Sequence, residues 1–105
     1  MTISNIESIP GQNIIEYYGV VQGSSVRAKH VGKDIFASIK NLFGGELHSY
    51  TELLQETRDE AVGRMKAQAQ HFGANAIVNV RFATSSIAAG ASEIFVYGTA
   101  VKVIK

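Results

Sequence analysis

A chain of 105 residues, 46% hydrophobic and 18% charged, has the size and composition of one globular domain, long enough for a core and too short for two. Its formal net charge of +1, without any run of like charges, argues against a dedicated nucleic-acid binder. The absence of cysteine excludes disulfides, thiolate metal sites and cysteine nucleophiles.

Met1–Gly11 lacks a basic start followed by an apolar run, so no secretory signal is visible. No stretch approaches the roughly 20 apolar residues that cross a bilayer. A soluble, cytoplasmic single domain over residues 1–105 is the expectation, with no nucleic-acid or membrane partner.

Met1 to Gln12 reads as a leader, closed by the Pro10-Gly11 turn signal. Asn13 to Ala28 is rich in β-branched and aromatic residues (Ile14, Ile15, Tyr17, Tyr18, Val20, Val21, Val26) and reads as the first strand. Gly19 and Gly23 interrupt it, and glycine inside a strand marks a bulge or a close backbone approach. After a connector at His30–Gly32, Asp34 caps a short helix to about Phe43, with Ile35, Phe36, Ile39, Leu42 and Phe43 as its apolar face and Gly44-Gly45 as its stop.

The long helix follows. Ser49-Tyr50-Thr51-Glu52 matches a capping box. Tyr50, Leu54, Thr57, Ala61, Met65, Ala69 and Phe72 recur at spacings of three and four, a single helical stripe. Glu60 and Arg64 stand four apart in the favourable order on the solvent side. Tyr50 to Phe72 would span roughly 35 Å.

Gly73 then ends the helix, and Asn75 to Thr84 and Glu93 to Ile104 are the remaining strands, joined by the uncharged loop Ser85–Ser92. The last strand alternates Phe95, Tyr97, Thr99, Val101 and Val103 with Ile94, Val96, Gly98, Ala100 and Ile104. Both faces are apolar, and a single helix layer covers only one of them. A second copy of the chain is the simplest cover for the other. The connectivity predicts an α+β fold in which a right-handed crossover joins strands one and two and a hairpin joins two and three, giving a three-stranded antiparallel sheet of order 1-3-2 on the long helix.

Six blocks resemble the YbjQ-like family of uncharacterised proteins: Glu16–Gly23, Asp34–Lys40, Gly44-Gly45, Arg58–Ala61, Gly73–Ala76 and Gly98–Val101. They span most of the chain in the expected order. The resemblance implies a dodecin-like subunit, here β-α-α-β-β, assembled as an oligomeric ring, commonly a homopentamer. It also implies kinship with proteins described as heavy-metal-binding.

The candidate sites are few. His30, His48 and His71 lie in three different segments, whereas a zinc site gathers three or four ligands, commonly two at close spacing. The plain reading is a loop residue, a helix lead-in residue, and one near a helix C-terminus, where a protonated imidazole meets the favourable end of the dipole. A site shared between copies, with histidines and carboxylates from several subunits, remains open. Arg58-Asp59-Glu60 do not converge, because consecutive helical residues point about 100° apart; Arg58 neighbours the apolar stripe and is within reach of a partner subunit.

Gly63, mid-helix, is either a tolerated imperfection or a point of close approach by another element. Gly44-Gly45 and Gly90 could expose amides to an anion but read as turns, since no strand–loop–helix phosphate motif or P-loop lysine accompanies them, and Gly98 is a structural position of the last strand. Asn75, just past the helix stop, is predicted to hydrogen-bond locally. No Gly-x-Ser-x-Gly elbow is present, and Tyr17, Tyr18, Tyr50 and Tyr97 read as core or interface residues with a polar tip.

Two function classes follow. The first is a non-enzymatic oligomeric module that binds or stores a small ligand between subunits. The second is a metal-binding protein with inter-subunit His and carboxylate sites. The sequence singles out no cofactor and no reaction, and the absence of tryptophan weighs against flavin stacking by direct analogy.

Overall fold

The computed structural model describes residues 1–27, 45–88 and 91–105. The short helix predicted from Asp34, its connector at His30–Gly32, and Gly44 lie outside them. The described elements are β1 (Thr2–Ile3), β2 (Asn13–Arg27), α1 (Gly45–His71), β3 (Ala76–Ala88) and β4 (Ala91–Ile104). Together they make a small α+β domain, a helix packed on a mixed sheet.

Among the described residues the sheet has four strands in the order β1-β3-β4-β2. β4 runs antiparallel to both β2 and β3. The strand count and full order thus differ from the expected three-stranded antiparallel sheet, although the three expected strands keep their relative order, with β4 between β2 and β3. The leader supplies the extra strand: Thr2 and Ile3 pair in parallel with Ala76 and Ile77 on the outer side of β3. Two residues carry no usable propensity signal, and this strand exists because β3 offers an unpaired edge.

α1 is 27 residues long, about 40 Å. It runs from Gly45, four residues before the capping box, so Gly45 lies in this helix. Thr57, Ala61, Met65 and Ala69 are buried, as the stripe requires. Phe72 lies beyond the helix and is 49% exposed.

The helix ends in a Schellman motif. The Ala74 amide donates to the Ala69 carbonyl at 3.1 Å and the Gly73 amide to the Gln70 carbonyl at 3.0 Å, with Gly73 at φ 88°. A left-handed residue there satisfies helix-end carbonyls and turns the chain toward β3.

The helix-facing side of the sheet carries Val21, Ile77, Val80, Ile94, Val96 and Ala100, packed with Ala61, Met65, Ala69 and Ala74. Burying a side chain of Val or Met size stabilises by about 1.5–3 kcal/mol, so this layer is the main apolar contribution. Gly23 belongs to the same layer. A Cβ there would collide with the helix backbone at the Ala61 carbonyl and the Met65 amide, so the missing side chain is what lets β2 and α1 come this close.

The opposite face is partly covered by the chain itself, where a second copy of the chain is the simplest cover expected from the sequence. Ile9, from the segment read as a leader, packs with Ala76, Val78, Val101 and Val103, and Ile14 leans on the cluster. On β2, at the edge of the sheet, Val20 is 72% exposed.

The region read as an uncharged loop is mostly strand. Ser85 pairs with Glu93, Ser86 with Ser92 and Ala88 with Ala91, extending the β3–β4 hairpin to residues 89–90, which lie outside the described set. The run Ser-Ser-Ile-Ala carries little apolar period, and cross-strand pairing accounts for its extended backbone.

Candidate functional site

Two irregularities shape the surface. In β2, register shifts fall between Ile14 and Glu16 and between Tyr17 and Gly19, and Gly19 adopts φ 106°. These bulges rotate the strand so that Tyr18 packs toward the helix-side core while Tyr17 stands 67% exposed. In β3 the register shifts between Val78 and Arg81, around Asn79 at φ 53°.

The β3 bulge is held by the N-terminal segment. The Asn79 amide donates to the Ile6 carbonyl and the Val80 amide to the Ser4 carbonyl, each at 2.9 Å. The Ser4 amide in turn donates to the Ile77 carbonyl at 2.9 Å. A left-handed asparagine is tolerated because its short polar side chain lowers the steric cost. The bulge and the segment together enclose an open cleft of about 440 Å³ lined by Ile3, Ser4, Asn5, Val80, Arg81 and Phe82.

Arg81 is the charged group of that cleft. Its Nη1 donates to the Asn5 carbonyl at 2.6 Å and to the Val80 carbonyl at 3.0 Å. The sequence reading passed over Arg81. Asn79 was the available signal: asparagine is depleted in strands, and here it interrupts an apolar run.

A second polar arrangement joins α1 to the outer edge of β2. The Gln22 amide donates to Gln68 Oε1 at 2.7 Å, Arg64 Nη1 donates to the Ser24 carbonyl, and Ser25 Oγ donates to Glu60 Oε1 at 3.1 Å. Arg64 also pairs with Glu60 at 2.7 Å. The Glu60–Arg64 pair therefore does more than face solvent. Residues 60, 64 and 68 form one ridge of the helix and cap an otherwise open strand edge.

Arg58 stays within its own helix, donating to Gln55 Oε1 at 2.9 Å, while Gln55 donates to Asp59. Asn75 does not bond locally: its side chain pairs with Val103 of β4. Gly98 packs so closely that a Cβ would lie 2.8 Å from Ile77 Cγ2. Gly63 faces open space, with nothing within 4 Å of its Cβ position. Tyr97 is 39% exposed and stacks on Phe95 with ring centroids 5.5 Å apart.

The histidines do not come together among the described residues. His71 is the last residue of α1, exposed, its ring edge-on to Phe72 at 5.8 Å. His48 lies on the same helix about 35 Å of rise away, and His30 is outside the described set. No three of His, Asp or Glu are grouped to hold a metal ion among the described residues. Soft heavy metals select thiolate and thioether sulfur. The chain has no cysteine, and of its two methionines Met1 is exposed while Met65 is sealed in the apolar core. The described donor set does not fit a heavy-metal centre.

No described helix is long and apolar enough to cross a membrane. Comparison with known proteins gives full-length similarity. A family model of the YbjQ type, described as "Putative heavy-metal-binding", matches residues 1–104. A UPF0145 protein of Hahella chejuensis is 66% identical over 101 residues, covering 96% of this chain and 97% of that protein. A UPF0145 protein of Thermus thermophilus is 51% identical, covering 95% of this chain and 88% of its own length. Among solved structures, a protein of unknown function from Pediococcus pentosaceus, assigned to the DUF74 family, superposes with a TM-score of 0.65 at 18% identity, covering 99% of this chain and 98% of that one. At that identity the likeness speaks to the fold alone.

Proposed function

The chain belongs to the YbjQ family, and from that premise we propose that it is a non-enzymatic, self-assembling module that holds a small ligand. Apolar surface carries the reading. Val20 is 72% exposed, Tyr17 67% and Ile15 57%, all on β2, the outer strand of the sheet. Large apolar side chains exposed along one strand support an association surface there. Packing against further copies withdraws them from water at about 25 cal/mol per Å² of apolar area. A ring of five, with a dodecin-like arrangement of subunits, is the assembly the family resemblance implies.

The ligand half of the reading rests on the Arg81 cleft, whose size falls within the roughly 300–1,000 Å³ of small-molecule sites. A soluble assembly that binds without reacting needs such a cleft and no nucleophile–base pair. Metal binding has weaker support, because the chain has no thiolate and the described residues hold no converging His and carboxylate set.

Static light scattering at micromolar concentration tests the assembly. A mass several times that of the chain is expected, falling toward one chain in a Val20→Lys, Tyr17→Lys double variant. A monomeric wild type overturns the reading.

A further inference from the structure

We propose that the cleft between the N-terminal segment and the β3 bulge is a carboxylate-binding site, with Arg81 as the recognising residue and Ile3 and Phe82 as walls for an apolar body. This rests on the small-ligand half of the reading above and is independent of the assembly half.

The argument begins with the hydrogens of the guanidinium. Arginine has five N–H donors. The two on Nη1 are committed to the carbonyls of Asn5 and Val80. The remaining three sit on Nε and Nη2, and that edge presents two parallel N–H groups, the fork that pairs with both oxygens of a carboxylate. Among the described residues Arg81 makes side-chain hydrogen bonds through Nη1, to two backbone carbonyls, and pairs with no carboxylate. The other described arginines with side-chain partners are spent on the helix and β2: Arg58 on Gln55, Arg64 on Glu60 and Ser24. Arg81 is set apart by being anchored and still having its recognition edge open.

The anchoring matters as much as the charge. A free surface arginine must lose rotamer freedom to bind, whereas two carbonyls already hold this one. Those carbonyls are themselves fixed, because Ser4 and Ile6 are hydrogen-bonded to the bulge on either side of Asn5. The site is preorganised by backbone.

The rest of the lining chooses the ligand. A single cation suits a monoanion, and the exposed Ile3 and Phe82 suit an apolar or aromatic portion attached to it. Inorganic phosphate offers the same fork an acceptor pair but nothing for the apolar walls, and it carries more charge than one guanidinium offsets.

The test is a titration of isotopically labelled full-length protein with benzoate, inorganic phosphate and benzyl alcohol, followed by amide NMR. Benzoate is expected to give saturable shifts confined to Ser4, Asn5, Arg81, Phe82 and their neighbours, with phosphate and benzyl alcohol each weaker by about tenfold or more. Arg81→Lys keeps the charge and loses the fork, so benzoate affinity should fall by about tenfold. Should Arg81→Lys fail to fold, Phe82→Ala, which leaves the anchor intact, carries the test through a fall in benzoate affinity with acetate affinity unchanged. Absence of saturation by benzoate, phosphate binding as tightly as benzoate, or unchanged benzoate binding in Arg81→Lys would each overturn the proposal. Light scattering on the same samples reports assembly separately, so a monomer that binds benzoate and an oligomer that does not are distinguishable results.

Discussion

The side-chain amide of Asn75 pairs with the backbone of Val103 in both directions: Nδ2 donates to the Val103 carbonyl at 2.9 Å, and the Val103 amide donates to Oδ1 at 2.8 Å. The Asn75 amide itself donates to the Val101 carbonyl at 3.1 Å. A side chain thereby continues the β3–β4 ladder one step before β3 begins, and the helix-to-strand joint is fastened to the central strand. Asn75→Ala strands both groups of Val103 and should destabilise the fold by about 1–3 kcal/mol in urea unfolding. Asn75→Asp should also destabilise, because it keeps one acceptor, loses the donor and sets a charge against the Val103 carbonyl. Wild-type midpoints in both variants would show that the pairing contributes nothing.

Gly23 and Gly63 should respond to alanine in opposite directions. At Gly23 the new methyl meets helix backbone, which cannot rotate away. The expected loss is about 3 kcal/mol or more, with α1 forced off β2. At Gly63 the space is open, so Gly63→Ala should raise stability by about 1 kcal/mol through helix propensity. A fall in melting temperature for Gly63→Ala, with loss of assembled mass, would instead reveal a second copy seated on that position.

Gly73 at φ 88° is a steric requirement of the Schellman turn. Gly73→Val should cost about 1 kcal/mol or more, and Gly73→Asn less, since asparagine enters the left-handed region more readily. Equal melting temperatures for the two variants would contradict this ordering.

Tyr18 contributes to the pH dependence of the fold on the alkaline side. Burial raises the pKa of its phenol above the ordinary tyrosine value, and the neighbouring Glu16 carboxylate, which accepts its hydrogen bond at 3.2 Å, adds to the rise. Folding therefore favours the neutral phenol. That contribution is fully present below the unfolded tyrosine value near 10 and is lost as pH climbs through the higher folded value. Tyr18→Phe should flatten the decline of stability above pH ~10, measured by urea unfolding across alkaline pH. An unaltered decline would assign it to other groups.

Zinc binding offers a direct check on the histidines. His71, exposed with an aromatic ring as its neighbour, should hold no metal tightly by itself, so His71→Ala should leave calorimetric zinc titrations of chelator-treated protein unchanged. Submicromolar zinc binding by the wild type that disappears in a His30→Ala, His48→Ala, His71→Ala variant would favour a metal site shared between copies over the ligand-holding module.

Much of the architecture was legible because its signals are local. The stripe Thr57, Ala61, Met65 and Ala69 repeats with the helical period, Gly73 stands where that period stops, and the last strand alternates residue by residue. Those features depend on neighbours within a turn or two of chain, so composition and spacing determined them. The tertiary structure decided what depends on distant partners. Thr2 and Ile3 are extended because the β3 edge receives them, and Ile9 is buried because Val101 and Val103 lie beneath it. Asn79 turns left-handed where the carbonyls of Ser4 and Ile6 take the amides of Val80 and Asn79, and Arg81 is anchored because Asn5 is held in front of it. A hydrogen bond spanning some seventy positions leaves no period in the sequence, and its free energy appears only once the sheet has brought both ends together.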